Sequence, residues 1–263
     1  VLETNKRTRS PKLKISELRK YRANMLKIPS GNDELDEMLG GGIELEALTE
    51  VYGAFASGKT QFCYSTLVEA MFRHMWKCVW IDCEDTFDPE RLMQIIRARG
   101  YAKDMTDEQL DEFVDSKLSY VHTPNTDTVV EEVQNLSPRL VEDESIKLII
   151  IDGATGQFRE EYLGRGTLAS RQQNLAKFMG VLKNSAYFFN VAVLMTNQVL
   201  SDPSQSYGDN IRPVGGHIVG HASTYRLYFK KSGKKRFATA VDSPKQAVFD
   251  CEFTLTDKGI DNP

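Results

Sequence analysis

The eight residues Gly53-Ala54-Phe55-Ala56-Ser57-Gly58-Lys59-Thr60 follow the spacing G-x-x-x-x-G-K-[ST], and no other segment restricts the fold as tightly. A loop of this kind needs a buried strand before it and a helix after it. Leu48-Thr49-Glu50-Val51-Tyr52 reads as a short buried strand, and Gln61 to Phe72 carries apolar residues at helical spacing. Gly53 and Gly58 let backbone N–H groups turn onto phosphate oxygens at the positive end of that helix. Lys59 supplies a point charge for the β- and γ-phosphates, and the Thr60 hydroxyl is a ligand for Mg²⁺. The segment therefore predicts a nucleoside triphosphate site.

A second run, Lys147-Leu148-Ile149-Ile150-Ile151-Asp152, is continuously apolar and ends in a carboxylate. It reads as a central parallel strand with Asp152 at its C-terminal edge, where a magnesium ligand belongs; the alternative is an aspartate capping the next helix. A third strand, Cys78-Val79-Trp80-Ile81-Asp82, leads into Cys83-Glu84-Asp85-Thr86. Glu84 is the candidate for polarising an attacking water, with Asp82 and Asp85 as caps for a helix starting near Asp88-Pro89.

With 263 residues, 41% of them hydrophobic, the chain is long enough for one large α/β core, and strands alternating with helices argue against a second domain of equal size. The expected division is a basic linker or oligomerisation segment over 1–27 and an ATPase core over 28–263. The net charge of −4 advertises no global field for nucleic acid, so such binding must come from local clusters. Lys6, Arg7, Arg9, Lys12, Lys14, Arg19, Lys20, Arg22 and Lys27 form one cluster, and Lys230 to Arg236 resembles a basic hairpin tip. A solvated linker and an exposed turn explain the two equally well. Cys63, Cys78, Cys83 and Cys251 make no C-x-x-C pair, which points to reduced thiols and an intracellular setting, cytoplasm or nucleoid. No apolar run approaches the length of a membrane span.

Taken together, several segments resemble the archaeal RadA-type recombinases and their eukaryotic strand-exchange relatives, members of the RecA-like ATPase class. These segments are Ile28-Pro29-Ser30-Gly31, Leu39-Gly40-Gly41-Gly42-Ile43-Glu44, Thr49-Glu50-Val51, the phosphate loop with its following Gln61, and Ile81 to Phe87 with Pro89-Glu90-Arg91. Phe158 to Gly166, with Arg171-Gln172-Gln173 behind it, is the most diagnostic, because generic phosphate-loop ATPases lack it. Thr196-Asn197-Gln198-Val199, Arg212 to His217, His221-Ala222 and Asp242-Ser243-Pro244 continue the match.

The resemblance implies a RecA-like α/β fold, with a mostly parallel twisted sheet flanked by helices and a small antiparallel C-terminal part. It implies a DNA-dependent ATPase that uses ATP and Mg²⁺, forms helical homo-oligomeric filaments on single-stranded DNA, engages double-stranded DNA, and performs homologous pairing and strand exchange. Glu84 matches the catalytic glutamate, Arg91 an arginine that packs on adenine, and Gln198 a glutamine sensing the γ-phosphate. Pro244 matches a residue that packs on the neighbouring subunit's adenine. Two DNA-holding loops fall at about Gln157 to Gly166 and Val199 to Gly216, with Arg159 and Arg165 on phosphates and Gly164, Gly166, Gly215 and Gly216 allowing close backbone approach. Ordinary surface arginine is the other reading of Arg159 and Arg165. His217 and His221 stand near the second loop.

Two departures keep a rival open. Lys12-Leu13-Lys14-Ile15 replaces an apolar anchor that docks on the next subunit, and Lys245 follows Pro244 where relatives continue with acids; it is a candidate cation across the interface. Both fit a recombinase paralogue that uses ATP as a mediator without exchanging strands itself.

Overall fold

The apolar runs become the centre of one twisted sheet. The computed structural model describes residues 14–161, 168–201, 211–233, 235–244 and 250–263. Its strands are β1 (Lys27–Ile28), β2 (Ile43–Glu44), β3 (Leu48–Gly53), β4 (Lys77–Asp82), β5 (Leu118–His122), β6 (Ile146–Asp152), β7 (Ala192–Asn197), β8 (Val199–Ser201), β9 (Ile211–Pro213), β10 (Tyr225–Ser232), β11 (Lys235–Asp242), β12 (Asp250–Thr256) and β13 (Gly259–Asp261). The main sheet runs β13-β12-β11-β10-β3-β7-β6-β4-β5. Pairing is parallel from β10 through β3, β7, β6 and β4 to β5, and antiparallel among β10, β11, β12 and β13. This is the RecA-like arrangement expected, antiparallel wing included.

Because strand side chains alternate faces, β6 feeds two cores at once. Leu148 and Ile150 join the helices Lys59–Val68, Pro89–Ala98 and Asp107–Lys117 on one face, while Ile149 and Ile151 meet Thr126–Gln134, Leu136–Glu142 and Leu168–Phe189 on the other. All four are fully buried, and each contributes about 1.5–3 kcal/mol relative to an exposed position.

The helix after the phosphate loop runs Lys59–Val68 and continues as a wider π turn over Glu69–Arg73, so the helical spacing read to Phe72 is real but not uniformly α. The π turn carries Glu69, which meets Arg99 at 2.7 Å. Arg99 also donates to the carbonyls of Ser30, Lys258 and Ile260, and so ties together segments far apart in sequence. The basic stretch at Lys230 to Arg236 is a hairpin tip as read: Ser232 pairs with Lys235, and Gly233 takes a φ of 61° at the turn. Lys234 lies outside the described residues. Among the described residues no helix is long and apolar enough to cross a membrane, and all four cysteines are free thiols.

Candidate nucleotide site and loop roots

The parallel strands all point their C-terminal ends at one edge, and the predicted site residues gather there. Gly53 closes β3 with a phenylalanine carbonyl, that of Phe229 in β10, lying where a Cβ would be, so only glycine fits. Gly58 turns the chain into the helix at a φ of 108°, with the Phe253 ring against it. Ala54, Phe55 and Ala56 form the exposed tip of the loop, and Ala56 holds a φ of 59°. Ser57 is buried, with its Oγ making no hydrogen bond to a described residue. Lys59 Nζ donates to the carbonyls of Gly53 and Ala54 at 3.0 and 3.1 Å, bridging the loop mouth. Burial lowers the Lys59 pKa, while Glu84 and Asp152 pull it back up.

Asp152 ends β6 as read, and it is 1% exposed. Oδ1 accepts from Thr196 Oγ1; Oδ2 is buried and completes no hydrogen bond among the described residues, although Thr60 lies close enough to favour the ionised carboxyl. Burial pushes its pKa up to about 6, against the Thr196 hydrogen bond and with help from the Glu84 charge. The helix-cap alternative for Asp152 does not describe what its carboxylate contacts.

Asp82 turns out to organise the loop that carries Glu84. Its carboxylate accepts from the backbone N–H groups of Glu84, Thr86 and Phe87, each at 3.0 Å, and from Tyr120. Asp85 contacts His122 instead, and the cap of the following helix is Asp88, with Pro89 in the first turn. Tyr64, from the phosphate-loop helix, accepts from the Asp88 N–H at 2.6 Å and sets the loop's far end. Glu84 lies over Gly153, whose φ of 82° and missing Cβ make room for it. Gln198 reaches the same carboxylate, Nε2 to Oε1, at 2.8 Å. Arg91 is held by Gln61 Oε1, at 2.9 Å from Nε and 2.8 Å from Nη2, and by the Thr256 carbonyl, so its guanidinium is fixed beside the phosphate-loop helix.

The predicted DNA loops are only partly in view. Gly164, Arg165, Gly166, Lys245 and Lys12 lie outside the described residues. Arg159 is exposed on the short helix Gly156–Glu161, so the first loop begins helically. The second is rooted on the antiparallel pair β8–β9. Gly215 caps the helix Gly216–Ala222 at a φ of 85° packed against Val219, whereas Gly216 faces open space. His217 and His221 stack on that helix, centroids 5.8 Å apart. Pro244 is exposed just past the end of β11.

Sequence reasoning assigned no roles to the buried polar residues beneath these loops. Asn197 Nδ2 donates to Glu50 Oε1 at 2.7 Å and to the Val214 carbonyl at 2.8 Å, and its Oδ1 accepts from Thr155. Glu50 is paired with Arg226 at 2.7 Å. Gln157 donates to the carbonyls of Cys83 and Thr123. Roots of both loops, the strand before the phosphate loop and the Glu84 loop thus share one polar layer. The visible signal was a charged residue, Glu50, inside a strand that reads as buried.

Strand, phosphate loop and carboxylates at one sheet edge define a phosphate-loop nucleotide-binding protein of RecA-like architecture. The chain belongs to the Rad51 family, whose profile matches residues 21–263. It is 44% identical over 251 residues to the DNA repair and recombination protein RadA of Cenarchaeum symbiosum, across 93% of this chain and 61% of that protein. It is 38% identical over 261 residues to the RadA of Ignicoccus hospitalis, across 94% and 76%, and 39% identical over 246 residues to that of Aeropyrum pernix, across 91% and 74%. The chain therefore spans 61% of the length of the first of these relatives.

Proposed function

We propose that this chain is the ATPase core of a recombinase that hydrolyses ATP in response to single-stranded DNA, assembles into filaments on it, and pairs it with a homologous duplex inside the cell. The observation that carries this reading is the hydrogen bond from Gln198, at the root of the second loop, to Glu84 at the nucleotide site. It gives DNA held by the loop a direct mechanical connection to the group that would activate water. The relatives' names, DNA repair and recombination protein RadA, point the same way.

The residues fit ATP and magnesium. Lys59 and the amides of the loop are disposed to hold phosphates, and Arg91, anchored by Gln61 and the Thr256 carbonyl, would pack on the adenine. Thr60 and Asp152, whose Oδ2 completes no hydrogen bond among the described residues, suit a metal whose other ligands are phosphate oxygens and water, and no cluster of three or more His, Cys, Asp or Glu among the described residues offers a self-sufficient cage. Bound there, magnesium would neutralise charge on the phosphates. Glu84 orients the attacking water, and Gln198 holds Glu84 until loop and phosphate compete for its amide. Residues 1–27 serve as the linker for self-assembly, with the core in 28–263; Ile15, on an exposed helix, is available to a neighbour. Arg159, Arg165 and the loop glycines contact the DNA backbone, and Pro244 packs on the neighbour's nucleotide.

The test is ATP turnover with and without single-stranded DNA across protein concentration, together with the salt dependence of DNA binding. Cooperative stimulation, and a log–log salt slope near about −0.7 per phosphate covered, support the reading. A rate indifferent to DNA, with binding only to another protein, overturns it in favour of the mediator.

A further inference from the structure

Thr196 makes two hydrogen bonds that fix the direction of its single proton. Its Oγ1 lies 2.8 Å from the Gly153 amide nitrogen and 2.5 Å from Asp152 Oδ1. An amide N–H can only donate, so the hydroxyl accepts from Gly153 and must donate to Asp152. Thr196 is 1% exposed, and its position at the end of β7 is locked by parallel pairing with β3, Val51 opposite Thr196. The consequence for Asp152 is that Oδ1 is committed, while Oδ2 has no hydrogen-bond partner among the described residues. The consequence for Glu84 is that the Gly153 backbone on which it rests is pinned by the same hydroxyl.

The geometry points to Thr196 as a positioning residue that ties Oδ1 of Asp152 to the root of the second loop and so presents Oδ2 to the nucleotide-bound metal. Three consecutive residues share the work of anchoring: Thr196 holds Asp152, Asn197 holds Glu50 and the loop's return at Val214, and Gln198 holds Glu84. A shift of β7's end therefore reaches the metal carboxylate and the water-polarising carboxylate together. This assignment rests on the nucleotide and metal reading above and adds a residue that touches neither ligand.

The test uses Mn²⁺ as the probe, its binding to the full chain followed by electron paramagnetic resonance in the presence of ADP. ADP affinity is measured separately in EDTA. Thr196→Val, which keeps the shape and removes the hydroxyl, should weaken Mn²⁺ about 10- to 100-fold. It should leave ADP affinity in EDTA unchanged, and Thr196→Ser should restore Mn²⁺ binding close to wild type. A valine variant that binds Mn²⁺ like wild type overturns the proposal. If the valine variant fails to fold, Thr196→Ser decides: a folded serine variant as weak for Mn²⁺ as Asp152→Asn also overturns it, and one that binds like wild type supports it. If wild type itself gains no Mn²⁺ site with ADP, the metal reading falls and the assignment with it, an outcome distinct from a difference between variants.

Discussion

Gln198 and Glu84, 114 positions apart in sequence, share a hydrogen bond of 2.8 Å between amide Nε2 and carboxylate Oε1. The amide belongs to the base of the second loop and the carboxylate to the edge of the nucleotide site. A bond of this kind favours one arrangement of the loop over another only as long as nothing else claims the amide. Gln198→Ala should therefore uncouple the sites: turnover with single-stranded DNA falls to the DNA-free rate, while nucleotide affinity without DNA stays as in wild type. Phosphate release and nucleotide titration, each with and without DNA, check this.

Gly153 gives a second handle on the same carboxylate. A side chain there is opposed twice, by the φ of 82° and by Glu84 lying in the space a Cβ would need. Gly153→Ala should displace Glu84 and lower kcat about 10²-fold, the order expected when a catalytic group moves by roughly an ångström. Nucleotide affinity should be preserved, since the phosphate loop is not touched. Steady-state kinetics alongside a binding titration separate the two effects.

Asp152 makes stability depend on pH in a definite direction. Its carboxyl is pushed up from 3.8 to about 6, chiefly by burial. Below about pH 4 it is protonated in folded and unfolded chains alike and contributes nothing. Between the two values only the unfolded chain ionises it, so folding becomes less favourable as pH rises; above about 6 the full penalty, on the order of 3 kcal/mol, is in place. Asp152→Asn should thus raise the Tm of the nucleotide-free, metal-free chain at neutral pH, with the gain fading towards pH 4. Hydrolysis should be lost. Thermal melts of both chains across pH measure it.

Arg99 carries the largest expected effect on stability. Its side chain is 7% exposed, pairs with the buried Glu69, and holds three carbonyls from the beginning and end of the core. Arg99→Ala takes away the closer and more buried of the two cations at Glu69, leaving Arg73 at 3.9 Å and the Tyr101 hydroxyl, and breaking such a buried pair destabilises by about 3 kcal/mol. Arg99→Lys should recover little, because an ammonium cannot reproduce the planar fork. Denaturant midpoints of the three chains decide it.

The parts of this architecture written in local spacing were readable in the sequence. The phosphate loop, the apolar run ending at Asp152, and the Asp88-Pro89 helix start each occupy a few consecutive residues whose types have one physical purpose. What spacing does not encode is which strand lies beside which. Thr196 and Asp152 meet because β6 and β7 are neighbours, and Asn197 reaches Glu50 because β3 lies on β7's other side. Asp82 looked like a cap or a site acid because its three amide partners follow it in a turn whose shape the sequence does not announce. Gly153 carries no signal of its own in the sequence, because the group that requires a glycine there, Glu84, comes from a different strand end. Local spacing marks the candidate ligand groups; the groups that hold them in place follow from topology.

The wing formed by β10 to β13 also has a mechanical meaning. Phe229's carbonyl and Phe253's ring fill the space that side chains at Gly53 and Gly58 would need, and Ile260's N–H is bound to Ser65 in the phosphate-loop helix at 2.9 Å. The wing thus rests on the first glycine, the second glycine and the helix behind them, with no intervening side chain at Gly53 to absorb strain. A displacement of the outer strands therefore reaches both glycines and the helix of the phosphate loop together. The shape of the phosphate loop is, in this fold, set in part by strands that lie outside it.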